Sequence, residues 1–554
     1  MLLSWSTTFL AACVLGLWIS WFSSKKQKRN DDPKLKSIPV VPGALFLIGN
    51  KTEGGIQNLV ACLTGWLVQH GNVSSNASGF LQANLFGQSF YLVCNNERAL
   101  AVMKLRPNII RRAAVEIEAI QSVGADGVFS AQGKIWGQDR RIMAPPLNRK
   151  NMTDYFPFIQ KITKRLVEKW NDESINGSSV PINQDLMKLM IDYIGMIAFD
   201  QDYDCLRNPH AQQAKDLKRM FKCMQLRALS PIQYWKIPIL GKYLDGATFN
   251  VGRLMNEIQA IITSYSSNSN NQSPSKNSNN NRSKTYLQKL LDQHDSMSQQ
   301  RVMGNLLTMF AAGSETTANV TMVCFWELLQ EENRPYLEEV LVELQQLEKD
   351  CGALESNALT AKTFLQSVPK LRALFYEVVR FRGTAPALFL CVGAQEGVEI
   401  GGYHFPCGTE FFMPLEYLGK LDDPLNGIPQ GPNGEPPGVF CPRRWLRLAD
   451  EKGEDDTGTS KTKDNNNQQQ VWTVIKPSSK CGVNMSSGFG SGVRICPGQD
   501  LAELEATYCL ASIFQHFDVS LMPDHPPMKL ISSFTQTPNV DIRLVLKSRR
   551  RGGE

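Results

Sequence analysis

Phe489-Gly490-Ser491-Gly492-Val493-Arg494-Ile495-Cys496-Pro497-Gly498 is the stretch on which the reading turns. A single cysteine stands among glycines, with an arginine two residues before it. Gly492 and Gly498 are expected to let the backbone turn sharply and approach a flat ligand closely. Pro497 has no N–H, which leaves its neighbours' amides to point at a sulfur. Arg494 favours the thiolate, the form that ligates metal, and is also able to pair with a carboxylate. Gln499 to Glu505 reads as a helix start, whose N-terminal field also favours a thiolate. The bland alternative is a surface turn with a buried, inert cysteine.

The chain has 554 residues, 42% of them hydrophobic, which supports a large folded core. A net charge of +6 is mild for this length and gives no case for nucleic-acid binding. The basic excess is local, in Lys25-Lys26-Gln27-Lys28-Arg29 and Arg549-Arg550-Arg551. Thirteen cysteines, an odd number with no Cys-x-x-Cys pair, argue against a zinc site or a complete disulfide framework. The six histidines show no metal-ligand spacing. Cys481, fifteen residues before Cys496, lacks both the preceding arginine and a helix directly after it.

Leu2 to Phe22 carries no charge, and about 21 residues at 1.5 Å each reach about 30 Å, enough to cross a bilayer core. Positive charges follow this run and do not precede it, which favours an uncleaved transmembrane anchor over a signal peptide. The bulk of the chain is then expected on the cytoplasmic side, with the Asn-x-Ser/Thr matches at Asn72, Asn176 and Asn319 unused. The expected layout is an anchor over 1–22, a basic and proline-rich linker over 23–50, and a catalytic domain over 51–548. Ile38-Pro39-Val40-Val41-Pro42-Gly43 is expected to be extended and stiff. Phe80 to Val93 reads as strands. Helical periodicity runs over 154–199, and two more amphipathic stretches fall within 212–266. Residues 266–283, almost wholly Ser and Asn, and 450–470, with an Asn/Gln tract, read as disordered insertions.

Three further patterns carry chemistry. Trp136 and Arg140 are four apart, so on a helix they share a face and both donate to one carboxylate. Gln299 to Gln330 reads as a long buried helix carrying Phe310-Ala311-Ala312-Gly313-Ser314-Glu315-Thr316-Thr317. Gly313 and the threonines are poor helix formers, and a hydroxyl bonding back to the preceding turn opens a groove. An acid followed by an alcohol there is suited to passing protons. Glu377 and Arg380 form an i,i+3 pair on another helix, and Phe440-Cys441-Pro442-Arg443-Arg444-Trp445 follows downstream.

Taken together these motifs resemble the cytochromes P450, haem-thiolate monooxygenases. Phe489, Gly492, Arg494, Cys496 and Gly498 fill every fixed position of the family's Phe-x-x-Gly-x-Arg-x-Cys-x-Gly pattern. Five residues at ~1/20 each give a chance match on the order of one in several thousand. The resemblance implies a mainly α fold with a small β-rich part and haem b (iron protoporphyrin IX) between the long helix and the cysteine loop. Cys496 would be the axial ligand of the iron, Phe489 would pack beside the haem, and Gly498 would close the loop. Trp136, Arg140 and Arg494 would hold a haem propionate. Thr316 and Glu315 would manage protons while one atom of dioxygen enters a substrate and the other leaves as water. Glu377, Arg380 and Arg444 would form a structural lock behind the loop.

The resemblance also implies electrons from an NADPH-dependent reductase, with cytochrome b5 as a further partner, and a single-pass protein of the endoplasmic reticulum membrane with its catalytic domain in the cytosol. Phe310, Ala312, Ala385, Pro386, Ala387, Leu388 and Phe389 match pocket-lining positions. Their small apolar character points to a lipophilic ligand such as a terpenoid, fatty acid or sterol. The sequence departs from the family in two places: residues 384–399 hold no Lys, Arg or His for a further propionate contact, and Lys420-Leu421-Asp422-Asp423-Pro424 replaces the usual His-x-Asp-Pro. Two other classes stay open: a haem-thiolate isomerase or lyase acting on peroxides, and a non-enzymatic haem-binding membrane protein.

Overall fold

The computed structural model describes residues 33–43, 59–71, 77–85, 88–175, 179–230, 233–237, 244–271, 285–291, 297–356, 358–448, 472–475, 488–532 and 535–549. The expected anchor at 1–22, the basic run after it, Cys481 and the insertion at 450–470 lie outside these residues.

Helices α1 (Leu59–His70), α2 (Asn96–Lys104) and α3 (Ala114–Ser122) are interleaved with β1 (Phe80–Leu85), β2 (Gln88–Val93) and β3 (Ile110–Arg112). Next come α4 (Gly133–Met143), α5 (Met152–Ile175), β4 (Val180–Pro181) and α6 (Ile182–Phe199). The pair α7 (Gln213–Leu229) and α8 (Ala247–Asn271) leads through α9 (Tyr286–Leu291) to α10 (Gln299–Leu328). After α10 lie α11 (Arg334–Cys351), α12 (Ala361–Ser367) and α13 (Pro369–Phe381). Strands β5 (Leu388–Val392), β6 (Val398–Ile400), β7 (Tyr403–Phe405) and β8 (Glu410–Met413) precede α14 (Leu415–Lys420). The chain closes with β9 (Leu446–Leu448), β10 (Trp472–Val474), α15 (Gln499–His516) and strands β11 (Phe517–Leu521), β12 (Leu530–Ser532), β13 (Gln536–Pro538) and β14 (Arg543–Ser548).

The helices thus carry most of the described chain, and five strands form the largest sheet in the order β1-β2-β8-β5-β3. The proline-rich stretch is extended, and its backbone joins the edge of that sheet. The Val41 N–H donates to Gln82 O at 2.9 Å and the Gln82 N–H to Pro39 O at 2.8 Å. Residues 80–93 form the β1–β2 hairpin, paired from Phe80↔Val93 to Leu85↔Gln88.

The periodicity over 154–199 resolves into α5 and α6, split by the short strand β4. One expectation needs correcting nearby: α8 runs through the first residues of the Ser/Asn segment, to Asn271, while 272–284 lie outside the described residues. Leu254, Ile258, Ile261 and Ile262 bury one face of α8, and extending a formed helix needs no new nucleus, so poor helix formers are carried along.

At the centre lies α10, capped by Ser298, whose Oγ accepts the Arg301 N–H. Its N-terminal half holds the segment that leads into α4. Arg301 pairs with Asp126 at 2.8 Å and also with Asp139, and the Val128 N–H donates to Asn305 Oδ1 at 2.6 Å. A Cβ on Gly304 would lie 2.4 Å from Asp126 O, so the close crossing requires glycine. The helix carrying Trp136 and Arg140 is thereby held against the helix carrying Thr316. Asn319 is 4% exposed inside α10, which leaves it inaccessible to glycosylation.

Candidate active site

Cys496 lies at the end of the loop that enters α15. Gly490 and Gly492 take left-handed φ of 74° and 64°, which L side chains rarely adopt. Gly498 departs from expectation: it is the N-cap of α15 with an ordinary φ of −85°. A Cβ there would meet Cys496 Sγ at 3.8 Å, an ordinary contact. The Cys496 N–H donates to Phe489 O at 2.9 Å, and the Gly498 N–H points at the sulfur. Protein surrounds the thiol closely, while the residue as a whole keeps some accessible surface. Burial pushes the thiol up, while the Gly498 amide and Arg140 pull it down.

The cation acting on the sulfur is Arg140, not Arg494. Arg494 donates instead to Ala131 O at 3.0 Å and Gln132 Oε1 at 3.3 Å, and its guanidinium lies 4.2 Å over the Trp136 ring. Trp136 therefore receives Arg494 on its face.

Four guanidinium groups converge here. Burial, followed by the charges of Arg106, Arg112 and Arg140, pushes Arg494 down to about 9. Arg106 is pushed down to about 10 by burial and by Arg112, against the opposite pull of Glu116. Glu116 takes Arg112 at 2.5 Å, and Phe129 lies under the same guanidinium at 3.9 Å. Buried Nε atoms of Arg106 and Arg112, and Nε2 of Gln132, have no hydrogen-bond partner among the described residues. So many buried donors with so little negative charge fit an anionic ligand.

The sequence reading missed Arg106 and Arg112. β3 pairs with β5, placing Arg112 opposite Leu390. A cation thus stands on the strand beside the one where its absence was noted. The only linear signal was the basic tract Arg106 to Arg112, and no spacing rule connects it to Trp136.

The burial of α10 breaks in mid-course. Val302 to Ala311 and Thr317 to Leu328 are largely buried, but Ala312 is exposed and Gly313 and Thr316 are half-buried. The Thr316 hydroxyl donates to Ala312 O at 2.6 Å. The helix itself stays continuous. Gly313 serves a different purpose from the one expected, since a Cβ there would lie 2.6 Å from Ile194 Cδ1 of α6.

Glu315 and Thr316 sit on different faces, as neighbours on a helix do. The Glu315 carboxyl meets Thr535 before β13 and feels Lys218 on α7, and burial pushes it up to about 7. Its Oε2 has no partner among the described residues.

The remaining residues divide clearly. Glu377 takes Arg380 at 2.6 and 2.8 Å, Arg444 at 3.2 Å, the Trp445 Nε1–H at 2.8 Å and the Cys441 N–H at 2.7 Å. Phe489 packs on Phe375 with centroids 6.0 Å apart. Phe310 is core: it is 2% exposed and packs edge-on against Phe199. Ala385 is exposed, and Pro386 to Phe389 are half-buried. A separate cavity of about 570 Å³ lies between α3, α7 and α8, lined by Ser122, Arg227, Trp235 and Val251 among others.

These features fit haem. A cysteine sulfur stands at a helix N-terminus, and a cluster of guanidinium groups lies beside it, a combination able to take an iron and two propionates. The less buried turn of α10, Ala312 to Thr316, lies on a helix packed against α15.

Comparison with known proteins gives the same picture. The family model "Cytochrome P450" matches residues 79–424 and 481–544. The gap between these blocks takes in the insertion at 450–470. The rabbit protein "Sterol 26-hydroxylase, mitochondrial" is 25% identical over 76% of this chain and 72% of its own length. "Protein LUTEIN DEFICIENT 5, chloroplastic" of Arabidopsis thaliana is 22% identical over 85% and 72%. "Cytochrome P450 97B2, chloroplastic" of Glycine max is 22% identical over 90% and 84%.

The expected endoplasmic reticulum location is overturned by these relatives, whose names place them in mitochondria or chloroplasts. No helix of the described residues is long and apolar enough to cross a membrane. An apolar run followed by lysines reports affinity for a membrane and does not specify which one.

Proposed function

Because this chain belongs to the cytochrome P450 family of haem monooxygenases, we propose that it oxygenates a lipophilic, sterol-like substrate with Cys496 as the haem-iron ligand. The observation that carries the ligand assignment is the placement of a cysteine sulfur, under a helix-start amide, beside the guanidinium cluster. Bound haem supplies dioxygen activation, with the thiolate favouring O–O scission.

Arg494, Arg140, Arg106 and Arg112, with Trp136, would hold the propionates by charge and hydrogen bonds. Thr316 holds a proton on its Oγ, resting on Ala312 O and able to swing into the groove. Glu315, raised by burial to about 7 so that it both holds and releases a proton near neutral pH, is the proton reserve behind it. Because the two face apart, a water or a rotation of Thr316 must link them. The Glu377–Arg380–Arg444 lock holds the segment behind the cysteine loop.

The sterol-like substrate class is supported by relatives named sterol 26-hydroxylase and by the apolar character of the stretch from Ala385 to Phe389. Electrons are supplied by a separate NADPH-dependent reductase, since no nucleotide or flavin motif is visible in the sequence. The organelle names of the relatives favour an organelle as the site of action. Spectral titration of the haem-loaded protein with sterols, fatty acids and terpenoids tests the reading: a sterol-selective shift supports it, and no shift with any of them sinks it.

A further inference from the structure

Glu505 lies on α15, nine residues beyond Cys496 (505 − 496), and is 1% exposed. Its carboxyl meets the hydroxyl of Thr317, the α10 residue next to Thr316. Its Oε1 has no hydrogen-bond partner among the described residues. Tyr193 of α6 and Cys509 of α15 are also close, and the Tyr193 hydroxyl lies 2.5 Å from Thr163 Oγ1 of α5. None of these neighbours is a cation. Burial holds the carboxyl well above its ordinary range, which favours its protonated form, while the Thr317 contact pulls the other way.

Such a group is expensive. An aliphatic side chain of similar volume would fill the same interface without desolvating an acid. A lone polar contact between two apolar helix faces does have one well-attested use, which is to select a single register. Both helices here carry part of the site. α15 begins three residues after Cys496 (499 − 496), and Thr317 meets α15 while Thr316, about 100° round the same helix, is half-buried on another face.

We propose that Glu505 is a positioning residue: its contact with Thr317 pins α15 to α10 and so fixes the Cys496 loop relative to Thr316. This rests on the haem-ligand reading of Cys496. It predicts that removing the pin leaves the fold stable but lets the loop settle in more than one register.

The test uses the full-length, haem-loaded chain as Glu505→Gln, Glu505→Leu, Thr317→Val and the Glu505→Leu/Thr317→Val double variant. Two quantities are read: the thermal midpoint, and the fraction of the dithionite-reduced carbonyl complex that keeps the red-shifted thiolate band on incubation. Glu505→Gln should match the parent in both. Glu505→Leu and Thr317→Val should keep or raise the midpoint yet lose the thiolate band several-fold faster, and the double variant should be no worse than either single one. Should Glu505→Leu not fold, the nearly isosteric Thr317→Val still carries the test. Parent-like band lifetimes in Glu505→Leu and Thr317→Val overturn the proposal, as does a Glu505→Gln variant as defective as Glu505→Leu. Cys496→Ala is run in parallel. A retained thiolate band there would sink the ligand assignment itself, an outcome distinct from failure of the pin.

Discussion

Arg112 stands directly opposite Leu390 across the β3–β5 ladder, so a charge missing from one strand is present on its neighbour. Charge-assisted hydrogen bonds contribute about 1.5–3 kcal/mol each, which corresponds to roughly 10- to 100-fold in an equilibrium constant. Arg112→Leu should therefore raise the haem dissociation constant about tenfold or more, and Arg106→Leu/Arg112→Leu should raise it further. Haem transfer to apomyoglobin measures this, and unchanged retention in the double variant would remove both residues from the propionate set.

Cys496→Ala should abolish the red-shifted carbonyl band and all oxygenation. Cys481→Ala should keep both. Spectra of the two variants side by side decide the matter, and reversal of the two results would overturn the assignment.

Removal of the hydroxyl in Thr316→Ala should leave haem bound while reduced oxygen escapes as peroxide. Product should fall by roughly 10²–10⁴, the usual value of acid–base help, with much less loss of electron-donor consumption. Thr316→Ser keeps the bond to Ala312 O and should stay coupled. If Thr316→Ala is as tightly coupled as its parent, the opened turn of α10 is packing alone.

Glu315 titrates near pH 7 in the folded chain, well above its ordinary carboxylate range. The folded state thus holds more protons than the unfolded state between about pH 4.5 and 7, and stability falls as pH rises through that window. Glu343, pushed up to about 8 by burial, acts in the same direction. Glu315→Gln should flatten part of this decline and raise stability at pH 8. It should also lower coupling below pH 7, where the parent's carboxyl still holds its proton, and leave no step in coupling near pH 7. Melting curves from pH 5 to 8.5 provide the check, and identical slopes in variant and parent would contradict it.

Glu377→Leu should leave Arg380 and Arg444 buried without their acid, and breaking a buried pair this way costs about 3–5 kcal/mol. The thermal midpoint and yield should drop sharply, while the surviving holoprotein keeps the parent spectrum. A lost thiolate band at an unchanged midpoint would instead give Glu377 a part in the chemistry.

What was legible in the sequence was local. Arg494, Cys496 and Gly498 fall within five residues, and Glu315 and Thr316 are adjacent, so their grouping needs no knowledge of the fold. The lock was legible because Glu377 and Arg380 share one helix face, although Arg444 required the resemblance. Arg106 and Arg112 were hidden because a strand register brings them to the site. Orientation was hidden too. Nothing in the loop shows that Arg140, from another helix, faces the sulfur while Arg494 turns towards Trp136. Nor does a glycine declare its reason: Gly313 reads as a weak point in a helix until Ile194 is seen against it.

That contact between Gly313 and Ile194 has a mechanical corollary. A Cβ at Gly313 would lie 2.6 Å from Ile194 Cδ1, so any side chain at 313 must first turn the tip of Ile194 aside. The close approach couples the two helices, and a shift of one is felt by the other.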